Sequence, residues 1–356
     1  MDSALHHLTE RIRAAAADAT PLRIRGGGSK DFYGQSLQGE ILDTRPLAGI
    51  VSYEPSELVV TARAGTPLAE LEAALAEKGQ YLPFEPPHFA GSGAQATVGG
   101  MVAAGLNGPA RASVGAVRDY VLGAEMLNGR GELLRFGGQV MKNVAGYDVS
   151  RLLAGSLGTL GVITEVSLKV LPLAPAEATL VFEMDEAQAL AQLNRWGGQP
   201  LPINASCWHA GALMVRLRGA RAAVAAAHQT MGGTLMQEQS QQLWNALREQ
   251  SGAFFELQAH EALVRLSVSD TAGPLNLGPT LIEWGGAQRW VKLPLPADTT
   301  AMLAGVPGHA TLFRGGDKSA GVFSELSAPL ARIHRELKQQ FDPAGIFNRG
   351  RLYPDF

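Results

Sequence analysis

The sequence predicts an α+β fold divided between two domains, on three observations. At 356 residues the chain is longer than one hydrophobic core usually organises. Segments of helical and of strand character follow one another with no internal repeat. Composition also shifts beyond Pro172 and Pro175, where glycine thins while alanine and glutamine rise. The expected division is a first domain over residues 1–175, a smaller one over 176–340, and a C-terminal segment over 341–356.

Leu5, Leu8 and Ile12 recur at helical spacing, so a first helix is expected to end before Pro21. Leu22 to Arg25 then reads as a strand feeding Gly26, Gly27 and Gly28. Further strands are expected at Gly49 to Tyr53 and Leu58 to Ala64. Thr66 is placed to cap a helix with Pro67 at its first position, Leu68, Leu71 and Leu75 as its apolar stripe, and Gly79 as its stop. Tyr81 to Phe84 reads as a strand before the extended run Glu85, Pro86, Pro87, His88. Two apolar runs around Asn128 to Gly131 predict a hairpin over Tyr120 to Phe136, and Val162 to Leu171 alternates as a strand.

Beyond the boundary come a strand at Thr179 to Met184, a helix at Asp185 to Trp196, strands near Asn204 to Trp208 and Ala212 to Arg218, and a helix at Ala220 to Met231. A helix near Gln241 to Gln250, strands near Leu263 to Val268 and Gln288 to Leu293, and a helix after Asp298 complete a smaller antiparallel domain. The last helix, Glu325 to Phe341, is amphipathic through Leu326, Leu330, Ile333, Leu337 and Phe341, and Asp342 and Pro343 stop it.

Composition excludes several classes of function. Hydrophobic residues at 46% and charged residues at 18% argue against a long disordered tail. A net charge of −3 with no run of five like charges gives no footprint for nucleic acid or an anionic membrane. Cys207 stands alone, which excludes an internal disulfide framework and any four-thiolate iron–sulfur or zinc site within this chain. His6, His7, Arg11 and Asp18 interrupt the first nineteen residues, so neither a secretory segment nor a direct membrane insertion is expected there, and the expected location is cytoplasmic.

The 42 glycines exceed an average usage of about 7% by roughly two thirds and lack a three-residue period, so they serve turns and ligand loops. Three turns stand out: Gly26 to Gly28 followed by Ser29 and Lys30, Thr97 to Ala104, and Gly155 to Ile163. The first lacks the spacing of a nucleotide-triphosphatase phosphate loop. Gly91, Gly93 and Ala96 match a Rossmann fingerprint by letters alone, because Pro86 and Pro87 stand where a central strand is required. Any one such turn has an ordinary structural explanation. Three of them beside strands or helix starts point to a dinucleotide whose pyrophosphate is held by main-chain N–H groups, with a helix start at Thr97 and the hydroxyls of Thr97 and Ser156 assisting.

In order, the motifs Arg25-Gly-Gly-Gly28, Ala96-Thr-Val-Gly-Gly100, Arg118-Asp-Tyr-Val121, Lys142-Asn-Val-Ala-Gly-Tyr-Asp148, Gly155-Ser-Leu-Gly-Thr-Leu-Gly-Val-Ile163 and Phe341-Asp-Pro-Ala-Gly-Ile-Phe-Asn348 resemble the vanillyl-alcohol-oxidase (PCMH)-type FAD-binding family, and within it the FAD-binding subunits of glycolate oxidases. The resemblance implies a PCMH-type FAD-binding domain of two α+β subdomains, a smaller α+β cap domain, and a C-terminal segment returning to the flavin. It places Gly26, Gly27, Gly28, Ser29, Lys30, Thr97, Gly99, Gly100, Gly108, Gly115, Gly155, Gly158, Thr159, Gly161, Val162 and Ile163 around FAD, and Asn348 near its ring. It also implies a second flavoprotein subunit, an iron–sulfur subunit and a small 2-hydroxy acid as partners, with any membrane association running through those subunits.

Two departures qualify what the resemblance implies. Members that bond flavin covalently through the first loop have histidine there, whereas Ser29 and Lys30 imply noncovalent FAD. Related 2-hydroxy-acid dehydrogenases carry a His-Gly-Asp-Gly-Asn-x-His motif for metal and substrate, and none occurs among the histidines at 6, 7, 88, 209, 228, 260, 309 and 334, so no metal site is expected. Oxidation of a hydroxy acid needs a base and a cation for the carboxylate. His88 and Asn348 are candidates near the ring, and Arg314, Lys318, Arg349 and Arg351 are candidate cations. The open readings are therefore a subunit that oxidises glycolate or relays its electrons, a stand-alone dehydrogenase of another 2-hydroxy acid or alcohol, and an assembly subunit that has lost FAD.

Overall fold

The computed structural model describes residues 3–91, 93–138, 148–297, 299, 301–303, 305–319 and 321–354. Lys142 to Tyr147 of the fourth motif and Asp298 lie outside the described residues. The chain divides into two compact units: one comprises the residues up to Leu106, Ala116–Pro172 and those from Glu325 onward, and the other comprises Asn107–Gly115 and Leu173–Ser324.

In the first unit, α1 (Ser3–Asp18) buries Leu8, Ile12 and Ala15 and leads to β1 (Leu22–Arg25), which pairs in parallel with β2 (Glu40–Asp43). These elements share a core with Leu127, Val162, Ile346 and Phe347. The chain continues through β3 (Ile50–Glu54), β4 (Val59–Arg63), α2 (Leu68–Ala76), β5 (Gln80–Tyr81) and α3 (Val98–Ala104). After α4 (Arg111–Val114), which belongs to the other unit, come β6 (Val121–Leu127), β7 (Leu133–Gly137), β8 (Val162–Lys169) and β9 (Leu171–Pro172). Strands ordered β3-β4-β8-β6-β7 make an antiparallel sheet, and β5 pairs with β9. The second core lies between this sheet and the buried faces of α2 and α3. The unit is thus two α+β layers, each with its own core.

The other unit is one eight-stranded antiparallel sheet, ordered β13-β10-β12-β11-β15-β16-β14-β17. Its elements in chain order are β10 (Ala176–Glu183), α5 (Glu186–Gly197), β11 (Ile203–His209), β12 (Ala212–Gly219), α6 (Arg221–Met231), β13 (Thr234–Met236), α7 (Ser240–Glu249), β14 (Glu261–Val268), β15 (Thr280–Glu283), β16 (Gln288–Pro294) and β17 (Gly308–Arg314). Asp185 and Gln188 form a reciprocal capping box at the start of α5. Helices α5 and α6 cover Leu213, Val215 and Leu217 of the sheet. The chain then re-enters the first unit through α8 (Ala328–Phe341).

Several local expectations are corrected. Pro67, not Thr66, is the residue flanking α2, and the Thr66 hydroxyl instead accepts from Gly49 N at 2.9 Å and donates to Gly49 O at 3.1 Å. The strand at Tyr81 stops early because Phe84 turns inward to pack on Tyr120, with ring centres 5.3 Å apart. Among the described residues that follow Asp298 and precede β17, the helical structure is a single 3-10 turn at Ala301–Leu303. Strands β2, β13, β15 and β17 were not foreseen. The expected stripe of α8 is borne out only in part: Phe341 packs on the core, whereas Leu330 and Ile333 are about half exposed, at 50% and 49%, and Lys338 is buried.

The units also depart from the expected division at 175/176 and 340/341. Residues 107–115 join the second unit, where Ser113 Oγ donates to Asn204 O at 2.7 Å and Arg111 stacks on Trp284 at 4.7 Å. Residues 325–340 join the first, where Lys338 and the Phe341–Phe136 ring contact anchor α8. Among the described residues no helix is long and apolar enough to cross a membrane. Leu71→Ala, at a fully buried site on α2, is expected to cost about 2–5 kcal/mol in urea unfolding; a loss below about 1 kcal/mol would contradict the core assigned to that helix.

Candidate functional site

Strand β1 delivers the chain into the Gly26–Gly28 turn, which lies against the segment 95–97 with no room for side chains. A Cβ at Gly27 would sit 1.6 Å from Gln95 O, and one at Gly26 would sit 2.4 Å from Thr97 Oγ1. Gly28 adopts φ +75°, which L side chains rarely adopt. Thr97, in extended conformation, caps α3 by accepting from Gly100 N at 3.3 Å. The third turn docks on the far end of α3, where Gly155 N donates to Val102 O at 3.0 Å and Leu157 N to Ala103 O at 2.8 Å.

A fourth wall comes from the far end of the chain. Asn348 accepts from Ile24 N through Oδ1 at 2.8 Å and donates through Nδ2 to Leu157 O at 2.6 Å, so one side chain bridges the first strand and the third turn. Gly26 to Lys30, Thr97, Gly100, Leu157 and Asn348 border a single cleft within the first unit.

The cleft is not bare backbone alone. Arg25, Lys30 and Arg351 line it against one carboxylate, Asp31. Asp31 Oδ2 takes Arg23 at 2.5 Å and Arg25 at 2.8 Å. Lys30 Nζ reaches Ser29 Oγ at 3.2 Å and His88 O at 3.4 Å. Arg351, 5% exposed, donates to Asp31 O at 2.9 Å and to the carbonyls of Lys30, Tyr33 and Gln35, fastening the loop that follows the first turn. Burial pulls its pKa down to about 10, with Asp31 opposing, so it stays charged at neutral pH.

The hydrogen bonds among the described residues leave the main-chain N–H groups of Gly27, Gly28 and Ser29 without a protein acceptor. Free amides in a tight turn beside a surplus of positive charge suit a diphosphate.

The structure does not gather every expected residue here. Gly99 packs on Ala64 and Gly161 on Met126 and Leu127, each where a Cβ would collide. Val162 and Ile163 lie in the two cores. Ser156 and Thr159 turn inward, with Ser156 Oγ accepting from Gly158 N at 3.4 Å and Thr159 Oγ1 donating to Ser156 O at 2.8 Å. Gly155 and Gly158 shape the third turn at φ +83° and +73°, Gly158 directly behind Asn348. Gly108 and Gly115 fall in the second unit, where Gly108 O accepts from Trp284 Nε1 at 3.1 Å.

Among the catalytic candidates, His88 is held by Glu72 of α2 at 2.8 Å. Arg314 and Lys318 belong to the second unit, and Arg314 is bonded to Gln250 at 2.9 Å. Arg349 is spent on the carbonyls of Gly345, Ala344 and Ala19. Asp31 and the loop-fastening role of Arg351 were missed, since nothing in sequence spacing links residue 351 to residues 30–35.

Residues 5–137 match the family described as FAD binding domain. Over 350 residues the chain is 49% identical to glycolate oxidase subunit GlcE of Escherichia coli (strain K12), covering 98% of this chain and 97% of that one. It is 32% identical over 174 residues to glycolate oxidase subunit GlcD of Bacillus subtilis (strain 168), covering 48% of this chain and 36% of that one. Among solved structures, alkyldihydroxyacetonephosphate synthase superposes with a TM-score of 0.67 at 14% identity, over 96% of this chain and 75% of that one, a likeness of fold alone.

Two substitutions probe the cleft. Gly27→Ala forces the first turn off Gln95 O and is expected to weaken FAD binding about tenfold or more in a fluorescence titration. Arg351→Met removes the guanidinium that ties four carbonyls together and is expected to weaken it by a similar factor, about tenfold. Wild-type affinity in both would show that neither the turn nor its fastening shapes the site.

Proposed function

The chain belongs to the family of glycolate oxidase subunit GlcE, and from that membership we propose that it is the FAD-binding subunit of a multi-subunit glycolate oxidase. The observation that carries this reading is 49% identity across almost the full length of both chains, joined to a glycine-walled, cationic cleft. The bound FAD would supply a two-electron acceptor for a hydroxy acid being oxidised to its oxo acid. The chain's own part is to hold it: the free amides of Gly27, Gly28 and Ser29 and the charges of Arg25, Lys30 and Arg351 would face the diphosphate, and Asn348 would face the ring. Ser29 and Lys30 at the first turn fit noncovalent binding.

Within such a complex this subunit relays electrons from glycolate oxidation rather than oxidising the substrate alone. Among the described residues of the first unit, His88 is paired with Glu72, and the cations lining the cleft are engaged, Arg25 with Asp31, Lys30 with Ser29 and His88 O, and Arg351 with main-chain carbonyls, so this reading leaves the substrate's base and carboxylate partner to another subunit. A single cysteine cannot supply the ligands of an iron–sulfur cluster, so in this reading any cluster would belong to a separate iron–sulfur subunit, and a second flavoprotein subunit resembling GlcD would be the other partner. Any membrane association of the complex runs through those partners.

The test is purification of this chain alone and with its native partners. The chain alone is expected to be yellow and to turn over glycolate only slightly, with robust turnover restored in the complex. Robust turnover by the isolated chain would overturn the relay, and an absorbance spectrum without a flavin band after FAD addition would overturn the cofactor assignment.

A further inference from the structure

Helix α8 buries a lysine where an amphipathic helix would bury leucine. The Lys338 ammonium donates to Thr159 O at 2.8 Å, to Phe347 O at 2.7 Å and to Asp342 Oδ2 at 2.7 Å. Its three protons are thus matched by three acceptors on three segments. Asp342, 1% exposed, is itself satisfied by the amides of Ile346 at 3.1 Å and Phe347 at 2.8 Å, and Gly129 N donates to Phe341 O at 2.8 Å beside it.

These acceptors are not scattered through the core. Thr159 follows Leu157 and Gly158 of the third turn, and Phe347 precedes Asn348. Leu157 and Asn348 both hold positive φ, +50° and +40°, a conformation that persists only where surroundings enforce it. Their side-chain and carbonyl link, Asn348 Nδ2 to Leu157 O, sits on the cleft face of the same assembly.

We propose that Lys338 is a positioning residue for the cofactor, its ammonium fixing Asn348 and the Gly155–Gly161 turn at the separation that FAD requires. This rests on the reading of the cleft as the FAD site. Burial holds the lysine pKa below its usual range while Asp342 opposes the shift, so the charge is kept by its three acceptors and not by solvent. Without the ammonium, Thr159 O and Phe347 O lose their donor and the Asp342 carboxylate loses its counter-charge, which frees both walls to drift.

The experiment uses the full chain with Lys338→Met, Asp342→Asn and a control, Leu75→Ala, in the core around α2. FAD dissociation constant, the visible absorption band of bound flavin and apo-protein melting are measured for each. Lys338→Met is expected to raise the dissociation constant about tenfold or more and to shift the flavin band. Leu75→Ala is expected to lower the melting temperature while leaving FAD affinity within about twofold.

Equal effects of Lys338→Met and the control on affinity, or an unchanged affinity and band in Lys338→Met, would overturn the proposal. Should Lys338→Met not fold, Asp342→Asn, which removes the charge and keeps one of the two oxygens that Ile346 N and Phe347 N share out, decides the matter by the same two outcomes. A wild-type chain that takes up no FAD would instead overturn the cleft reading itself.

Discussion

Main chain packed directly on main chain is the constraint from which the cleft follows. The first turn can lie on residues 95–97 only because Gly26 and Gly27 present no Cβ, and the third turn can reach the end of α3 only because Gly105 and Gly155 meet backbone to backbone, with a Cβ at Gly105 only 2.8 Å from Gly155 Cα. Three segments far apart in sequence are thereby brought to one rim. Glycine costs conformational entropy on folding, and that cost is tolerated here because close approach leaves amides facing the cleft.

The chain's end completes what its beginning starts. Phe347 bridges to Leu22 in parallel register, Asn348 N donates to Leu22 O at 2.9 Å, and Arg351 gathers the loop after the first turn. Charged side chains serve here as internal cross-links: Arg351 and Lys338 are spent largely on carbonyls, interactions roughly twice as strong as neutral hydrogen bonds. Yet Arg351, with Arg25 and Lys30, leaves the cleft positive, which complements a diphosphate without a dedicated phosphate loop.

Much of this was legible in the sequence. Strand Leu22–Arg25, the capped start at Thr97 and the hairpin around Asn128 follow from local chemistry, and the glycine turns announce themselves by composition. What escaped is non-local. Hydrophobic periodicity assigns Leu330 and Ile333 to the packing face of α8, whereas two carbonyls from other segments and the helix's own capping Asp342 hold Lys338 inward. Residues 107–115 read as a continuation of the first unit until Trp284 and Asn204 of the other unit claim them. Glycines of the third turn look alike in sequence, but only packing separates Gly161, pressed on Met126, from the residues that border the cleft.

Hydrogen–deuterium exchange of the chain with and without FAD tests the central claim most directly, because it reads the amides themselves. Convergence of the turns predicts that FAD protects Gly27 to Ser29, Gly100 and Leu157 to Gly158 together, with Asn348 protected alongside them. Protection confined to one of these turns, or located in the second unit alone, would contradict the account.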